Sequence, residues 1–166
     1  MRKKEALGID IGGVIISGTR EDSLTSGDYL QNTEIPDAVD AIGRLVHERF
    51  GEKVFLISKR GPRVQAKTNR WLKQHHFFEK TGIKPRHIHF CLERADKADL
   101  CAQLGITHFI DNRIDVLTYL RDVPYLFLFS RDASVSTLQE ERWRNRIRKV
   151  SSWEEILDIL LVKRSV

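Results

Sequence analysis

The stretch Ala6-Leu7-Gly8-Ile9-Asp10-Ile11-Gly12-Gly13-Val14-Ile15-Ile16 decides the fold of this chain. A short apolar run of this kind is typical of a buried strand in a parallel sheet. Asp10 lies near its end, where a carboxylate is costly to bury unless something binds it. The glycines that follow let the backbone turn sharply and let a ligand approach closely. The stretch therefore predicts a first strand over residues 6–11 with a site residue, Asp10, at its carboxyl end, although an isolated Asp-x-Gly-Gly also fits a simple turn.

The composition is that of a soluble globular protein. The chain has 166 residues, of which 41% are hydrophobic, and this length suits one domain spanning residues 1–166. The formal net charge of +5 favours an anionic ligand only weakly. No apolar run approaches the roughly 20 residues that cross a bilayer, and the N-terminus is a poor signal peptide. We therefore expect a cytoplasmic protein with no membrane partner, and Cys91 and Cys101 as free thiols.

Strands and helices alternate along the rest of the chain. Apolar runs predict strands over residues 53–58, 87–92, 106–110, 125–129 and 149–150. Helical spacing or capping signals predict helices that begin near residues 36, 63, 75, 96, 112, 138 and 152. The helix from residue 112 is expected to carry Val116, Leu117 and Leu120 on one face. This alternation predicts an α/β fold with a doubly wound parallel sheet in three layers. Residues 14–33 are polar and too few for a domain, which indicates a small flap over the end of the first strand.

Polar side chains stand at, or just after, the ends of four successive strands. They are Asp10, Ser58, Lys97 and Asp111. In a doubly wound sheet, ligands bind at the carboxyl ends of the strands where the strand order reverses, so the four can meet there. Two carboxylates can share a divalent cation, and hard oxygen ligands suit Mg²⁺. A hydroxyl and an ammonium group can hold the remaining oxygens of an anion. The pattern predicts a phosphate bound against a metal, with an aspartate free to attack phosphorus.

In order and spacing, these segments resemble the four motifs of the haloacid dehalogenase-like (HAD) hydrolase superfamily. The matching pieces are Asp10-Ile-Gly-Gly-Val, Leu56-Ile-Ser58, Arg94-Ala-Asp-Lys97-Ala-Asp and Phe109-Ile-Asp111-Asn-Arg-Ile-Asp115. The resemblance implies a small, nucleotidase- or phosphatase-like member with a Rossmann-like fold, a short flap and no large cap domain. It also implies hydrolysis of a phosphoric monoester, with Mg²⁺ as cofactor and a small phosphorylated molecule as substrate.

The resemblance implies a metal-binding role for four residues. Asp10 would be both the nucleophile that forms an aspartyl-phosphate and a Mg²⁺ ligand. The backbone carbonyl of Gly12 and the carboxylate of Asp111 would be further ligands. Asp115 would be another ligand, or would support the ligands from one turn along its helix.

The resemblance also implies a phosphate-binding role for Ser58, Lys97 and Lys59. These groups would hold the transferring phosphoryl group and offset its charge. The segment Arg60-Gly61-Pro62-Arg63 follows Ser58 directly, so it would lie near the phosphate as well.

Position 12 departs from the pattern. Phosphatases of this superfamily usually have a second aspartate two positions after the nucleophile as general acid and base, and this chain has Gly12 there. General acid–base help is worth about 10²–10⁴ in rate. Hydrolysis is then slow, or another group substitutes, or the protein binds a phosphate or a nucleotide as a catalytically degenerate regulator. The substitutes that the composition offers are His75, His76, Lys59 and Arg60.

A basic run near the end of the chain raises a third hypothesis. It comprises Arg142, Arg144, Arg146, Arg148 and Lys149. Such a run can contact nucleic acid, and the enzyme would then act on a nucleic-acid end. Acidic residues stand just before it, so a solvated helix is the favoured interpretation. The sequence indicates neither the substrate nor the oligomeric state.

Overall fold

A computed structural model describes residues 4–17, 32–131 and 141–162 of the chain. Its strands are β1 (Leu7–Ile9), β2 (Val54–Lys59), β3 (Ile88–Cys91), β4 (His108–Asp111), β5 (Tyr125–Phe129) and β6 (Ile147–Val150). Its α-helices are α1 (Ala38–Leu45), α2 (Pro62–Gln74), α3 (Phe77–Thr81), α4 (Asp96–Leu104), α5 (Ile114–Leu117), α6 (Glu141–Arg144) and α7 (Trp153–Leu161). A π-helical turn, Val46–Phe50, continues α1, and a 3₁₀ helix, Pro85–His87, precedes β3.

All six strands are parallel and form one sheet in the order β3-β2-β1-β4-β5-β6. β1 lies in the interior of the sheet, where Gly8 pairs with Phe55 of β2 on one side and with Phe109 of β4 on the other. The chain moves outward from β1 in one direction to β3 and then returns to build β4 on the opposite side. The strand order therefore reverses between β1 and β4, which is where open α/β sheets bind ligands.

Helices cover both faces of the sheet, as the alternation of elements predicts. Leu7 and Ile9 of β1 belong to a buried cluster that includes residues of α1, α2, α3 and α7. Phe55 and Ile57 of β2 belong to a second cluster, which includes residues of α4, α5 and α6. Because successive strand residues point to opposite faces, β2, β4, β5 and β6 each contribute to both cores. The predicted three-layer, doubly wound α/β fold is confirmed, and the described residues contain no large cap domain.

Helix α1 begins later than the predicted start near Pro36, and it ends in a π-helical turn. Asp37 adopts a left-handed conformation (φ 65°), and the helix begins at Ala38. The backbone N–H of Val39 donates to Glu34 Oε1 at 2.8 Å, so a glutamate outside the helix caps its first turn. At the other end, the N–H of Gly51 bonds back to the carbonyl of Val46 across five residues, which accounts for the π-helical turn.

Helix α5 is shorter than predicted and ends at Leu117. The N–H groups of Tyr119 and Leu120 bond to carbonyls three residues earlier, at 3.0 and 3.1 Å, which are the tight turns that often end a helix. The chain must then reach β5, where the N–H of Tyr125 donates to the carbonyl of Thr107. Leu120 is buried all the same, so the apolar spacing identifies a core residue but overextends the helix.

The predicted flap lies largely outside the described residues. On either side of residues 18–31, Ile16 forms an antiparallel bridge with Glu34, and the N–H of Ser17 donates to the carbonyl of Thr33 at 2.8 Å. The two flanking segments thus pair with each other, and the flap itself stays a prediction. The predicted helix that begins near residue 138 also falls partly outside the described residues, which resume at residue 141.

The last helix of the described chain is attached to the loop after the first strand. Ser152 caps α7, with its hydroxyl accepting a hydrogen bond from the N–H of Glu155 at 3.1 Å, as the capping-box spacing predicts. The buried indole of Trp153 donates from Nε1 to the carbonyl of Val14 at 2.9 Å. Within the described ranges, no helix is both long enough and apolar enough to span a bilayer.

Candidate active site

Two buried carboxylates lie at the ends of neighbouring strands. Asp10 directly follows β1 and Asp111 is the last residue of β4; their exposed fractions are 7% and 0%. The backbone N–H of Asp10 donates to the carbonyl of Ile110 at 3.0 Å, which carries the pairing of the two strands up to Asp10. The carboxyl ends of parallel strands meet at one edge, so both acids lie at the point where the strand order reverses.

Lys97 joins the two carboxylates. Its ammonium nitrogen Nζ donates to Asp10 Oδ1 at 3.1 Å and to Asp111 Oδ2 at 2.9 Å, and the side chain is 2% exposed. Burial alone lowers the pKa of Lys97, but the two carboxylates outweigh burial and raise this pKa above its usual value. The lysine is therefore charged and holds both acids in place.

The carboxylates remain under-compensated by this single ammonium group. Asp111 Oδ1 accepts a second hydrogen bond, from the backbone N–H of Arg113 at 3.0 Å. Burial, and then the negative charge of Asp10, raise the pKa of Asp111, while Lys97 opposes the rise. Two acids and one ammonium carry a net negative charge, so the arrangement favours a further cation.

The loop after β1 leaves the carbonyl of Gly12 without a described backbone partner. In this loop the carbonyl of Ile11 accepts from the N–H groups of Ile15 and Ile16, at 2.8 and 3.1 Å. No described backbone N–H donates to the carbonyl of Gly12, and Gly12 lines a cavity that also contains Asp10. A backbone carbonyl that no described N–H pairs with, in a cavity that Asp10 also lines, is an oxygen donor of the kind that Mg²⁺ accepts.

Gly13 is held against the loop that follows Asp111. Its φ of 73° is left-handed, and a Cβ atom on it would lie 2.2 Å from the side-chain Nδ2 of Asn112. Only glycine fits this position without displacing Asn112. The close approach sets the two strand-end loops against each other around the site.

Ser58 reaches the site from β2, on the other side of β1. Its side chain is 2% exposed, and its Oγ accepts a hydrogen bond from Nε of the buried Arg60 at 3.2 Å. Lys59 is exposed, and it lines the cavity together with Ser58 and Arg60. The hydroxyl and its basic neighbours thus form one wall of the cavity.

The cavity at this edge of the sheet is strongly basic. Its volume is about 230 Å³. The basic side chains that line it are Lys59, Arg60, Arg94, Lys97 and Arg113. Among the described residues, Asp10 is the only carboxylate that lines it, and no histidine does. Such a lining favours an anionic ligand.

Asp115 contacts two arginines of the cavity rather than the buried carboxylates. Its carboxylate accepts hydrogen bonds from Arg94 Nη1 and from Arg113 Nε, the latter at 3.3 Å. The side chain is 45% exposed, and no hydrogen bond or ion pair joins it to Lys97. These contacts favour the supporting role that the resemblance left open over direct metal ligation.

Arg94 and Arg113 are cavity residues that the sequence did not single out. Their positions in the sequence could have indicated that they lie near the site, because Arg94 stands three residues before Lys97 and Arg113 stands two residues after Asp111. The histidines considered as substitute acids lie elsewhere. His75 stacks on Trp71 with ring centroids 3.8 Å apart, and His76 precedes α3 in a left-handed conformation.

The oxygen donors present fit Mg²⁺, although they are few. Within the described ranges, no group of three or more His, Cys, Asp or Glu side chains could hold a metal ion. Mg²⁺ commonly keeps several waters and is bound by one or two carboxylates plus a substrate phosphate. The carboxylates of Asp10 and Asp111, with the carbonyl of Gly12, match this requirement. Cys91 and Cys101 are buried free thiols, as predicted, and take no part in it.

Comparisons with known proteins give matches to solved structures only. No protein-family model matches the sequence, and no curated protein matches it significantly. A HAD family hydrolase from Deinococcus radiodurans R1, with bound phosphate and sodium, is similar over 95% of both chains at 13% identity and a TM-score of 0.60. The cobalt-bound deoxy-D-mannose-octulosonate 8-phosphate phosphatase of Haemophilus influenzae is similar over 96% of this chain and 88% of its own, at 18% identity and a TM-score of 0.54.

A third solved structure is larger than this chain. It is a haloacid dehalogenase-like family hydrolase from Xanthomonas campestris, with a TM-score of 0.52 and 15% identity over 80% of this chain but only 58% of its own. At these identities the likeness concerns the fold. The resemblance stated from the motifs is thereby confirmed at that level: this chain has the fold of the haloacid dehalogenase-like hydrolases.

Proposed function

We propose that this protein is a Mg²⁺-dependent phosphohydrolase of the HAD type, which acts on phosphoric monoesters through an aspartyl-phosphate at Asp10. The observation that carries the proposal is the bridging of Asp10 and Asp111 by Lys97, at the floor of a basic cavity where the strand order reverses. The similar fold of a HAD hydrolase that binds phosphate supports the same chemistry. We also propose a cytoplasmic location and a small phosphorylated substrate.

Asp10 would carry the covalent step. Its Oδ1 is held by Lys97, while its Oδ2 accepts no hydrogen bond from the described part of the chain. A carboxylate oxygen attacks phosphorus, and the bond to the leaving oxygen breaks with its electron pair on that oxygen. Water then attacks the same phosphorus, the bond to Asp10 breaks, and orthophosphate is released with the carboxylate restored.

The neighbouring groups would bind the phosphoryl group and the metal. Ser58 and Lys97, which line the cavity, would donate hydrogen bonds to phosphoryl oxygens, and Lys59 would add positive charge. Asp10, Asp111 and the carbonyl of Gly12 would hold Mg²⁺, with Asp115 in support. When bound, Mg²⁺ offsets the charge of the carboxylates and of the transferring phosphoryl group.

The described cavity lining offers few groups that could donate a proton to the leaving oxygen. Gly12 has no proton to give, and the described cavity lining supplies no second carboxylate and no histidine. Lys59 is the exposed lysine nearest in sequence to Ser58 and is the available donor for a leaving oxygen. We therefore expect slow turnover compared with an enzyme that has an acid at position 12.

The test compares Asp10→Asn with a matched control. Asp158→Asn makes the same chemical change at an exposed position on α7. Release of orthophosphate from a panel of phosphomonoesters, measured with Mg²⁺ present, should occur in the wild type and the control but fall at least about 10³-fold in Asp10→Asn. Equal rates in wild type and Asp10→Asn would refute the proposal, because a contaminant or another residue would then perform the reaction.

The second candidate function is a phosphate- or nucleotide-binding regulator that does not turn over. The observation that favours it is Gly12. The variant Gly12→Asp separates the two candidates, since it installs the missing acid. If the wild type is inactive and Gly12→Asp gains turnover, the native site is degenerate. If the wild type is active and Gly12→Asp gains at least about tenfold, the enzyme assignment holds and its slow step is proton transfer.

The structure gives little support to action on a nucleic-acid end. β5 and β4 separate β6, which carries Arg148 and Lys149, from β1 and Asp10. Arg146 donates to the carbonyl of Val123 at 2.8 Å and packs over the ring of Trp143. The basic run is thus partly committed to packing and is not continuous with the site.

A further inference from the structure

The cavity has a second group of cationic side chains, apart from those near Ser58. β2 and β4 flank β1 on opposite sides. Ser58, Lys59 and Arg60 belong to the β2 side. Arg113 follows β4, and the guanidinium of Arg94 contacts the same carboxylate, that of Asp115. Both arginines line the cavity. The Arg94–Arg113 pair therefore lies on the β4 side of the nucleophile.

Asp115 holds the guanidinium groups of Arg94 and Arg113 in place but does not cancel their combined positive charge. The carboxylate of Asp115 accepts hydrogen bonds from Arg94 Nη1 and from Arg113 Nε and Nη2, the last two at 3.3 and 3.5 Å. Two guanidinium groups and one carboxylate retain a net positive charge. Among the described residues, no acceptor other than Asp115 is recorded for either guanidinium group. Their remaining N–H groups are thus available to a ligand.

The reacting groups do not require this charge. Asp10, Asp111 and Lys97 together carry one negative charge, and a divalent cation and a phosphomonoester dianion cancel each other. Lys59 and Arg60 already offset the excess on the β2 side. The positive charge of the Arg94–Arg113 pair is then left for an anion other than the transferring phosphoryl group. Guanidinium groups bind carboxylate and phosphate in the same two-pronged geometry.

We propose that Arg94 and Arg113 form a subsite for a second anionic group, a phosphate or a carboxylate, on a small phosphorylated substrate. The assignment of the first group to the phosphoryl position rests on the proposed function. A cavity of about 230 Å³ is smaller than the roughly 300–1,000 Å³ of ordinary ligand pockets, which suits a compact molecule with two anionic groups.

The test is equilibrium binding of phosphonates that cannot be hydrolysed. Methylphosphonate carries one anionic group, phosphonoacetate adds a carboxylate, and methylenediphosphonate adds a second phosphonate. Titration calorimetry at fixed Mg²⁺ should show that at least one of the two-anion compounds binds at least about tenfold more tightly than methylphosphonate. Comparison of the two identifies which second anion the subsite takes.

Two paired variants locate the preference. The double variant Arg94→Gln with Arg113→Gln should reduce the affinity difference between two-anion compounds and methylphosphonate to less than about threefold. The double variant Arg94→Lys with Arg113→Lys keeps the charge but loses the two-pronged guanidinium geometry, and it should keep part of this difference. Arg121→Gln removes an exposed arginine elsewhere and should leave it intact. Circular dichroism checks that each variant is folded.

The outcomes separate this inference from the proposed function. Equal affinity of the wild type for all three phosphonates would overturn the subsite, while Asp10-dependent release of orthophosphate would still support the hydrolase. A preference that disappears in the glutamine pair supports the subsite even if no substrate turns over. Tighter binding of a 5′-phosphorylated oligonucleotide than of either two-anion compound would overturn the assignment to a small molecule.

Discussion

At the scale of single residues, one ammonium group bridges two buried carboxylates. Lys97→Met keeps the length of the side chain but leaves Asp10 and Asp111 facing each other uncompensated. We expect the free energy of unfolding to fall by about 3 kcal/mol without Mg²⁺, because a buried charge that loses its partner is strongly destabilising. Mg²⁺ should stabilise this variant more than the wild type, because it supplies the missing positive charge.

Urea unfolding with and without Mg²⁺ measures both effects. The control is Lys73→Met, at an exposed position of α2, which should change stability by less than about 0.5 kcal/mol. An equal gain from Mg²⁺ in wild type and Lys97→Met would show that the metal binds away from the two carboxylates.

His108 makes stability depend on pH below neutrality. It is 3% exposed, and its ring stacks on Tyr125 with centroids 4.5 Å apart. Burial, and then the charge of Arg49, lower the pKa of His108 to about 4. The unfolded chain takes up this proton near the ordinary histidine pKa of about 6.5. Stability is therefore unaffected above that pH and falls, by up to about 3 kcal/mol, as the pH drops from about 6.5 to 4.

Two variants separate His108 from the other groups that titrate in acid. His108→Phe should lose less stability than the wild type over this pH window, while the exposed variant His47→Gln should follow the wild type. Chemical unfolding at a series of pH values gives the comparison. Parallel curves for wild type and His108→Phe would contradict the expectation.

The sequence predicted which residues gather at the site better than it predicted what surrounds them. Asp10, Ser58 and Asp111 each stand at a strand end, and Lys97 begins a helix, so the topology alone brings them together. Arg94 and Arg113 could not be placed in the same way. The head group of an arginine lies several bonds from the backbone, so its position depends on a partner such as Asp115.

At the scale of the elements, β1 and β4 pack too closely for a side chain at Gly8. A Cβ atom there would lie 2.6 Å from Cδ2 of the buried Phe109 ring. The same ring lies 5.7 Å from Nζ of Lys97. We expect Gly8→Ala to lower the free energy of unfolding by about 1–3 kcal/mol through overpacking, and to disturb the lysine that the ring supports.

The paired variant Gly8→Ala with Phe109→Leu provides the control. The smaller side chain makes room for the added methyl group, so the pair should be more stable than the sum of the single changes indicates. Urea unfolding of the four proteins completes the cycle. Additive losses would show that Gly8 and Phe109 do not interfere.

The elements themselves follow from the sequence except at their ends. Three helical segments end at a glycine with a positive φ, which glycine adopts readily. Gly51 follows the π-helical continuation of α1, Gly82 follows α3, and Gly105 follows α4. The start of α1 could not be read, because its cap comes from Glu34 outside the helix. Local patterns report periodicity and turn chemistry, whereas such ends depend on contacts with other segments.

At the scale of the whole molecule, metal binding should stabilise the folded chain. Any ligand that binds only the folded state adds stability, and Mg²⁺ at about ten times its Kd adds about 1.4 kcal/mol. For a chain of this size we expect a rise in Tm of about 4 °C. Asp111→Asn should abolish the rise, and the exposed variant Asp158→Asn should keep it.

Thermal unfolding with increasing Mg²⁺ makes the measurement. A rise of the same size in Asp111→Asn would mean that the stabilising ion binds elsewhere.

The topology is the level at which sequence reasoning succeeded most fully, since alternation and strand-end chemistry together lead to the observed sheet. The single-domain organisation and the flap remain predictions, because the described residues do not test them.

The hydrogen bond from Trp153 to Val14 has a consequence for synthesis. The loop that contains Asp10 and Val14 is translated before the indole that holds it, since Val14 and Trp153 lie 139 residues apart. β4, which supplies Asp111, is also translated after β1, β2 and β3. A nascent polypeptide would therefore carry an unfinished pocket until β4 and the segment that contains Trp153 have both been translated.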